Sequence, residues 1–176
     1  EFTARLIELA KSAKLGDPMD ANTNIGPITT PPQYQKVLDY IAVAKGEGAR
    51  CVFGGGPATG EGVRGGQFVQ PTIFADVTNS MRIAQEEVFG PVVSVHPYAD
   101  VDDAVRIAND SRYGLAGAVF RAPHAVLPVA PPVRPGSVGL NRLTPALSTP
   151  PPPSHAPGPR PCVRTPAVLH FHGGPA

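Results

Sequence analysis

The sequence predicts an α/β fold over residues 1–120, and three observations carry that reading. Apolar residues recur at helical spacing in two early stretches. Short β-branched or aromatic runs, bounded by glycine and proline, follow them. A third helical stretch then leads into a last apolar run, and helix and strand that alternate in this way imply an α/β sheet.

Phe2, Leu6, Leu9 and Ala13 lie at helical spacing in a stretch without Gly or Pro, and Gly16 follows where a left-handed stop would fall. Residues 16–27, opening on Gly16-Asp17-Pro18 and closing on Gly26-Pro27, are turn chemistry. Thr30-Pro31-Pro32-Gln33 reads as a capping box with proline at the first helical position. The helix it opens runs to about Lys45 on a stripe of Val37, Leu38, Ile41 and Ala44. Gly46 and Gly48 end it before a strand at Arg50–Phe53. Residues 54–66 form a glycine-rich loop, and extended pieces follow at 67–69 and 72–74 with Pro71 as a kink or edge between them. A helical turn is expected near residues 80–84, and residues 91–95 read as a buried strand. Asp100 caps a helix at Val101–Asn109, and residues 114–120 make a further strand.

Charge divides the chain in two. Residues 1–120 hold 10 Lys and Arg against 14 Asp and Glu, whereas residues 121–176 hold five Arg, no Lys and no acid, giving formal charges of −4 and +5. Of 23 prolines, 15 fall in the last 56 residues, a density that blocks helices and central strands, so a disordered or polyproline II tail is expected there. The basic excess is spread thinly and without interleaved aromatics, which excludes a nucleic-acid protein. No apolar stretch is long enough to span a bilayer, and Glu1-Phe2-Thr3 opens into a helix without a signal-peptide pattern. Cys51 and Cys162, one in each half, make no disulfide framework and fit a reducing, cytoplasmic compartment.

Several longer motifs carry a resemblance. They are Lys14-Leu15-Gly16-Asp17-Pro18, Asn24-Ile25-Gly26-Pro27, the stretch from Gln33 to Tyr40, Gly54-Gly55, and Gln70-Pro71-Thr72-Ile73-Phe74. With them stand Met81-Arg82-Ile83-Ala84-Gln85-Glu86-Glu87-Val88-Phe89-Gly90-Pro91-Val92, Ala108-Asn109 and Tyr113-Gly114-Leu115-Ala116. In this order they resemble the downstream part of the catalytic domain of the NAD(P)-dependent aldehyde dehydrogenases, almost without interruption over residues 1–120.

The resemblance implies a fold that is part of that catalytic domain, and a chemistry in which a cysteine thiolate attacks an aldehyde. Hydride then passes to the nicotinamide, and a glutamate-activated water releases a carboxylic acid. The family's cysteine and general-base glutamate stand before the position matching Glu1, and neither Cys51 nor Cys162 matches the nucleophile's motif. The expected catalytic set is therefore none, and the chain alone is expected to be inactive. What the resemblance leaves here is one side of the cofactor site. Glu87 would accept hydrogen bonds from the ribose hydroxyls next to the nicotinamide of NAD or NADP, Phe89 would pack against that ring region, and Gly90-Pro91 would shape the turn that follows. Glu86 is read as an exposed carboxylate or helix-end partner. The isolated chain is expected to bind the cofactor weakly or not at all. The aldehyde substrate and the homo-oligomer are family properties, and the family's C-terminal oligomerisation strand is not visible in this sequence. Apolar faces left exposed should favour aggregation.

Beyond Phe120 the resemblance returns only at Arg134 and Gly136-Ser137-Val138-Gly139-Leu140-Asn141, a remnant family strand at 134–141, after four prolines in 121–133 where a helix belongs. A shifted reading frame, briefly restored, would produce this pattern. The alternative is a non-enzymatic interaction module that presents Pro150-Pro151-Pro152-Pro153 to a proline-binding groove. Gly60-Glu61-Gly62-Val63-Arg64-Gly65 has the spacing of a dinucleotide fingerprint, but an extended segment follows it, so it is read as a surface loop. Leu169-His170-Phe171-His172-Gly173-Gly174 matches an oxyanion-hole turn without a nucleophile elbow, and its histidine pair is an incomplete ligand set, so no metal site is expected. His96 is read as a packed or surface residue.

Overall fold

The structure, a computed structural model, describes residues 1–114, 117–120, 138–140 and 168–170. The chain divides into two units, Glu1–Pro97 and Tyr98–Ala176.

The first unit opens with α1, Phe2–Ser12, and α2, Pro31–Gly46. The expected stop at Gly16 is corrected: α1 ends at Ser12, its cap Ala13 is extended, and Gly16 lies outside the left-handed region. The turn is made instead by Asn24, whose Oδ1 accepts the Lys14 amide at 2.9 Å, and by the Gly16 amide donating to the Ile25 carbonyl. A side chain on Gly16 would stand 3.0 Å from Thr23 Oγ1, so close packing accounts for that glycine. At α2 the Thr30 hydroxyl accepts the Gln33 amide and Pro31 occupies the first turn, as the capping pattern predicts. Val37, Ile41 and Ala44 are buried, and Leu38 packs against them.

Three strands form a mixed sheet in the order β1 (Arg50–Phe53), β2 (Thr72–Ala75), β3 (Val92–Ser94). β1 runs antiparallel to β2, pairing Cys51 with Phe74, and a bulge shifts the register so that Phe53 faces Ile73. β2 and β3 are parallel, with Thr72 opposite Val92. Every residue of β2 is buried. Its one polar side chain, Thr72, is satisfied: Oγ1 donates to the Gln70 carbonyl at 2.8 Å and accepts the Gly55 amide at 3.0 Å. Gly54 has φ 67°, and a Cβ there would lie 2.1 Å from the Pro71 carbonyl oxygen, so only glycine fits where this loop crosses the start of β2. Residues 60–65 are a surface loop with a short 3-10 turn, Glu61–Val63, and the next element is β2, not an α-helix.

Phe74, Val37, Val69 and Val77 centre a core that also takes in Ile41, Ala44, Ala49, Ile83 and Val88, joining α2 to the sheet. Each fully buried side chain of this size stabilises the fold by about 1.5–3 kcal/mol. α1 buries no residue, and Leu9 is 67% exposed. The strand expected to be buried at 91–95 is shorter, and Val93 is 47% exposed, because β3 has a partner on one side only among the described residues. The expected helical turn is α3, Arg82–Gln85.

In the second unit, α4 (Val101–Asn109) begins on a reciprocal cap: Asp100 accepts the Asp103 amide at 2.8 Å, and Asp103 accepts the Ala99 amide at 3.0 Å. Ala104 and Val119 are its buried apolar pair, with Tyr98, Val101 and Val105 around them. β4, Gly117–Phe120, is flanked by two parallel partners, β5 (Val138–Leu140) and β6 (Val168–His170). β5 falls within the remnant family strand read at 134–141. β6 is a proline-free triplet inside the expected tail, and the rest of that tail, with Cys162 and Pro150-Pro151-Pro152-Pro153, lies outside the described residues.

Candidate functional site

The predicted cofactor residues sit in the link between α3 and β3, and one face of α2 holds that link. Gln33, Lys36 and Tyr40 recur at helical spacing beside the apolar stripe of α2. Gln33 Nε2 donates to the carbonyls of Val88 at 2.9 Å and Phe89 at 3.1 Å. Its side chain therefore does not return to the Thr30 amide as a full capping box would have it. Lys36 Nζ donates to the Glu87 carbonyl at 3.1 Å. Three consecutive carbonyls are thus fixed by two side chains of a helix more than fifty residues earlier.

The clamp sets what the link displays. Val88 points inward and is buried in the core. Phe89 on the opposite side is 65% exposed and has φ 59°, a conformation that costs a non-glycine residue about 1–3 kcal/mol and persists only where surrounding contacts enforce it. Gly90 follows against α2, where a Cβ would stand 2.7 and 2.9 Å from the two methyl groups of Val37. Glu87 is half-buried, with Oε2 closed off from solvent. The two sequence-predicted residues, Glu87 and Phe89, thus lie in one clamped segment, the first half-buried and the second exposed.

Glu86 turns away from this edge. Its carboxylate accepts both nitrogens of the Arg82 fork at 2.9 Å, and it accepts the Tyr40 hydroxyl, a bond that holds the phenol above its ordinary pKa. It is the helix-end partner that the sequence reading allowed. Cys51 is half-buried in β1, and its thiol donates to the Phe53 carbonyl at 3.4 Å. His96 is partly buried, which lowers its pKa, and Nε2 lies 3.3 Å from Ser94 Oγ. Among the described residues no group of three His, Cys, Asp or Glu side chains could hold a metal ion. None of their helices is long and apolar enough to cross a membrane.

The sequence reading missed the grip of α2 on the link, although the polar line Gln33, Lys36, Tyr40 beside the buried stripe was its available signal. A cleft of about 300 Å³ between the end of α1, the loop at 54–59 and Gln70-Pro71 was also not foreseen.

Comparison with known proteins decides the family. Residues 1–152 match the Aldehyde dehydrogenase family. The chain belongs to that family. The match runs through Arg134 and Gly136, past the uninterrupted resemblance of residues 1–120. Betaine aldehyde dehydrogenase of Brucella ovis is 47% identical over 121 residues, which are 69% of this chain and 25% of that enzyme. The chain thus spans about a quarter of the length of the curated relatives it matches. Betaine aldehyde dehydrogenase of Staphylococcus aureus, solved in complex with NAD+, superposes with a TM-score of 0.79 at 41% identity, covering 82% of this chain and 29% of that one. HpcC of Thermus thermophilus gives 0.76 at 40% identity, covering 80% and 28%.

Proposed function

We propose that this chain is part of an NAD(P)-dependent aldehyde dehydrogenase that oxidises an aldehyde to a carboxylic acid, and that Glu87 and Phe89 form one wall of its nicotinamide-ribose site. The observation that carries the reading is the clamped link: three carbonyls tied to α2, with Phe89 held outward in a left-handed conformation two residues after Glu87. The residues fit the group. A single carboxylate oxygen has two lone pairs and can accept ribose hydroxyls while Glu87 Oε2 stays closed off, and an exposed ring can cover the flat face next to it. When bound, the nicotinamide supplies the hydride acceptor. Glu87 then orients the ribose, Phe89 keeps water from that side, and Gln33 and Lys36 hold both in place.

The described cysteine, Cys51, is committed to backbone carbonyls of its own strand end, which argues against it as the nucleophile. We therefore expect the chain alone to form no NADH from betaine aldehyde and NAD+, and to give no resolvable heat with micromolar NAD+ or NADP+. The cytoplasm, an aldehyde substrate and a homo-oligomeric whole enzyme belong to the same reading.

Saturation-transfer NMR with NAD+ in the millimolar range tests the wall. Signal should fall on the nicotinamide-ribose protons and be lost in Glu87→Gln and Phe89→Ala. Signal confined to the adenine, or steady NADH formation by this chain alone, would overturn the proposal.

A further inference from the structure

We propose that Tyr40 and Arg82 are positioning residues for the Glu87 and Phe89 wall, acting through Glu86; the inference rests on the reading above and extends it. Glu86 caps α3 in an extended conformation and immediately precedes Glu87, so its orientation sets the direction in which the link leaves the helix. Its carboxylate is held from two elements at once. Arg82, on α3, binds it through a two-pronged fork, and Tyr40, on α2, donates its hydroxyl.

The same ring closes the circuit. The Arg82 guanidinium lies 5.3 Å from the centre of the Tyr40 ring and the Lys36 ammonium 5.5 Å from it, while Lys36 donates to the Glu87 carbonyl. Glu86, Arg82, Tyr40, Lys36 and the Glu87 backbone therefore form one closed chain of contacts. An exposed ion pair between residues four apart on one helix would do little, since such pairs contribute almost nothing to order. Here the pair is tied to a second helix, and Arg82 is anchored again through its amide, which donates to Glu47 Oε2 at 2.8 Å. Removing the Tyr40 hydroxyl cuts the tie between Glu86 and α2 but leaves the ring and its two cations.

The test is an NMR comparison of the 15N-labelled chain with Tyr40→Phe, Arg82→Gln and a control, Ile73→Val, which trims the buried sheet away from the link. In the unsubstituted chain the amides of Glu87, Val88 and Phe89 should be as ordered as rigid backbone, with order parameters of about 0.85, falling toward about 0.6 in Tyr40→Phe and Arg82→Gln. The NAD+ concentration that half-shifts the Phe89 amide, read in the millimolar range, should rise by roughly three- to tenfold in both. Glu86→Gln, which keeps an acceptor for Tyr40, should retain more order than Glu86→Ala. Ile73→Val should change neither readout. If Tyr40→Phe leaves order and NAD+ response untouched, or if Ile73→Val lowers both as much, the positioning role is overturned. If NAD+ moves no amide of the unsubstituted chain while Tyr40→Phe still loosens residues 87–89, the cofactor reading fails and the positioning of the link stands.

Discussion

α1 and α2 look alike in the sequence and differ in the fold. Both show apolar residues at helical spacing, and both form helices. Yet α2 sends Val37, Ile41 and Ala44 into the core, whereas α1 buries nothing and leaves Leu9 67% exposed. Periodicity determines that a helix forms and which side is apolar. It does not determine what that side meets. α2 finds the sheet and the link at 86–90; α1 lies against β2 with Phe2, Leu6, Ile7 and Ala10 only partly buried, and Leu9 falls off that side. The difference explains why the candidate site is built from α2.

The largest effects should fall on the α2 side of this contrast. Phe74→Ala, at the centre of the core and fully buried, is expected to cost about 3–5 kcal/mol in urea unfolding of the chain. Leu9→Ala should stay within about 0.5 kcal/mol. If Leu9→Ala proved as costly as Phe74→Ala, the contrast between the two helices would be wrong.

A sharper test lies where α2 meets the link. Gly90→Ala places a methyl group under 3 Å from both methyls of Val37, and overpacking of this kind costs about 1–3 kcal/mol. Val37→Ala alone should be destabilising too, but the double substitution should recover part of the Gly90→Ala loss, since it removes the clashing atoms. A strictly additive double-mutant cycle would show that glycine is needed there for some other reason.

What the sequence could reveal follows the same division. Elements set by local chemistry were legible: the Thr30 cap, the Asp100 cap, the strand at residues 50–53 and the extended piece at 72–74, which the structure carries on to Ala75. The failures depended on partners outside the local pattern. Gln33 looked like the return half of a capping box, but carbonyls at Val88 and Phe89 claimed its amide group. Gly16 looked like a helix stop, but packing against Thr23 explains it. Residues 91–95 looked buried because the run is apolar, and the one-sided pairing of β3 left Val93 exposed. Glu87 and Phe89 were singled out only through resemblance to a family, because nothing in their local pattern tells that α2 holds their carbonyls. Tyr40 and Glu86, 46 residues apart, have no local signature at all.

Smaller effects separate the two caps. Thr30→Ala should cost about 1 kcal/mol, because the hydroxyl satisfies one otherwise orphaned amide of α2. Asp100→Ala should cost a similar amount or more, because it breaks a reciprocal arrangement in which Asp103 also accepts the Ala99 amide. Since the Thr30 contact is long at 3.4 Å and the Asp100 contact is 2.8 Å, the ordering expected from thermal unfolding is Asp100→Ala below Thr30→Ala. The reverse order would mean that Gln33, held by the link, relies on Thr30 for more than capping.

The smallest expected effect is a pH dependence, and it divides buried from exposed groups. Burial lowers the pKa of His96 in the folded chain below the ordinary 6.5, so the neutral ring is favoured there. The stability this contributes is present in full above the unfolded value and is lost as pH falls through the folded one. Asp20 is also lowered, from 3.8 to about 2, chiefly by the hydrogen bond from Lys14, but it lies at the surface, partly exposed. Its contribution is present above 3.8 and is lost only as pH falls toward 2; salt should screen it. Urea midpoints should therefore decline between about pH 7 and pH 5 because His96 must charge, with little change between added salt and none. His96→Asn should flatten that decline while Asp20→Asn leaves it intact. A decline that persists in His96→Asn would assign it to a group other than the partly buried imidazole beside Ser94, and the burial of β3's far end would then carry no energetic weight.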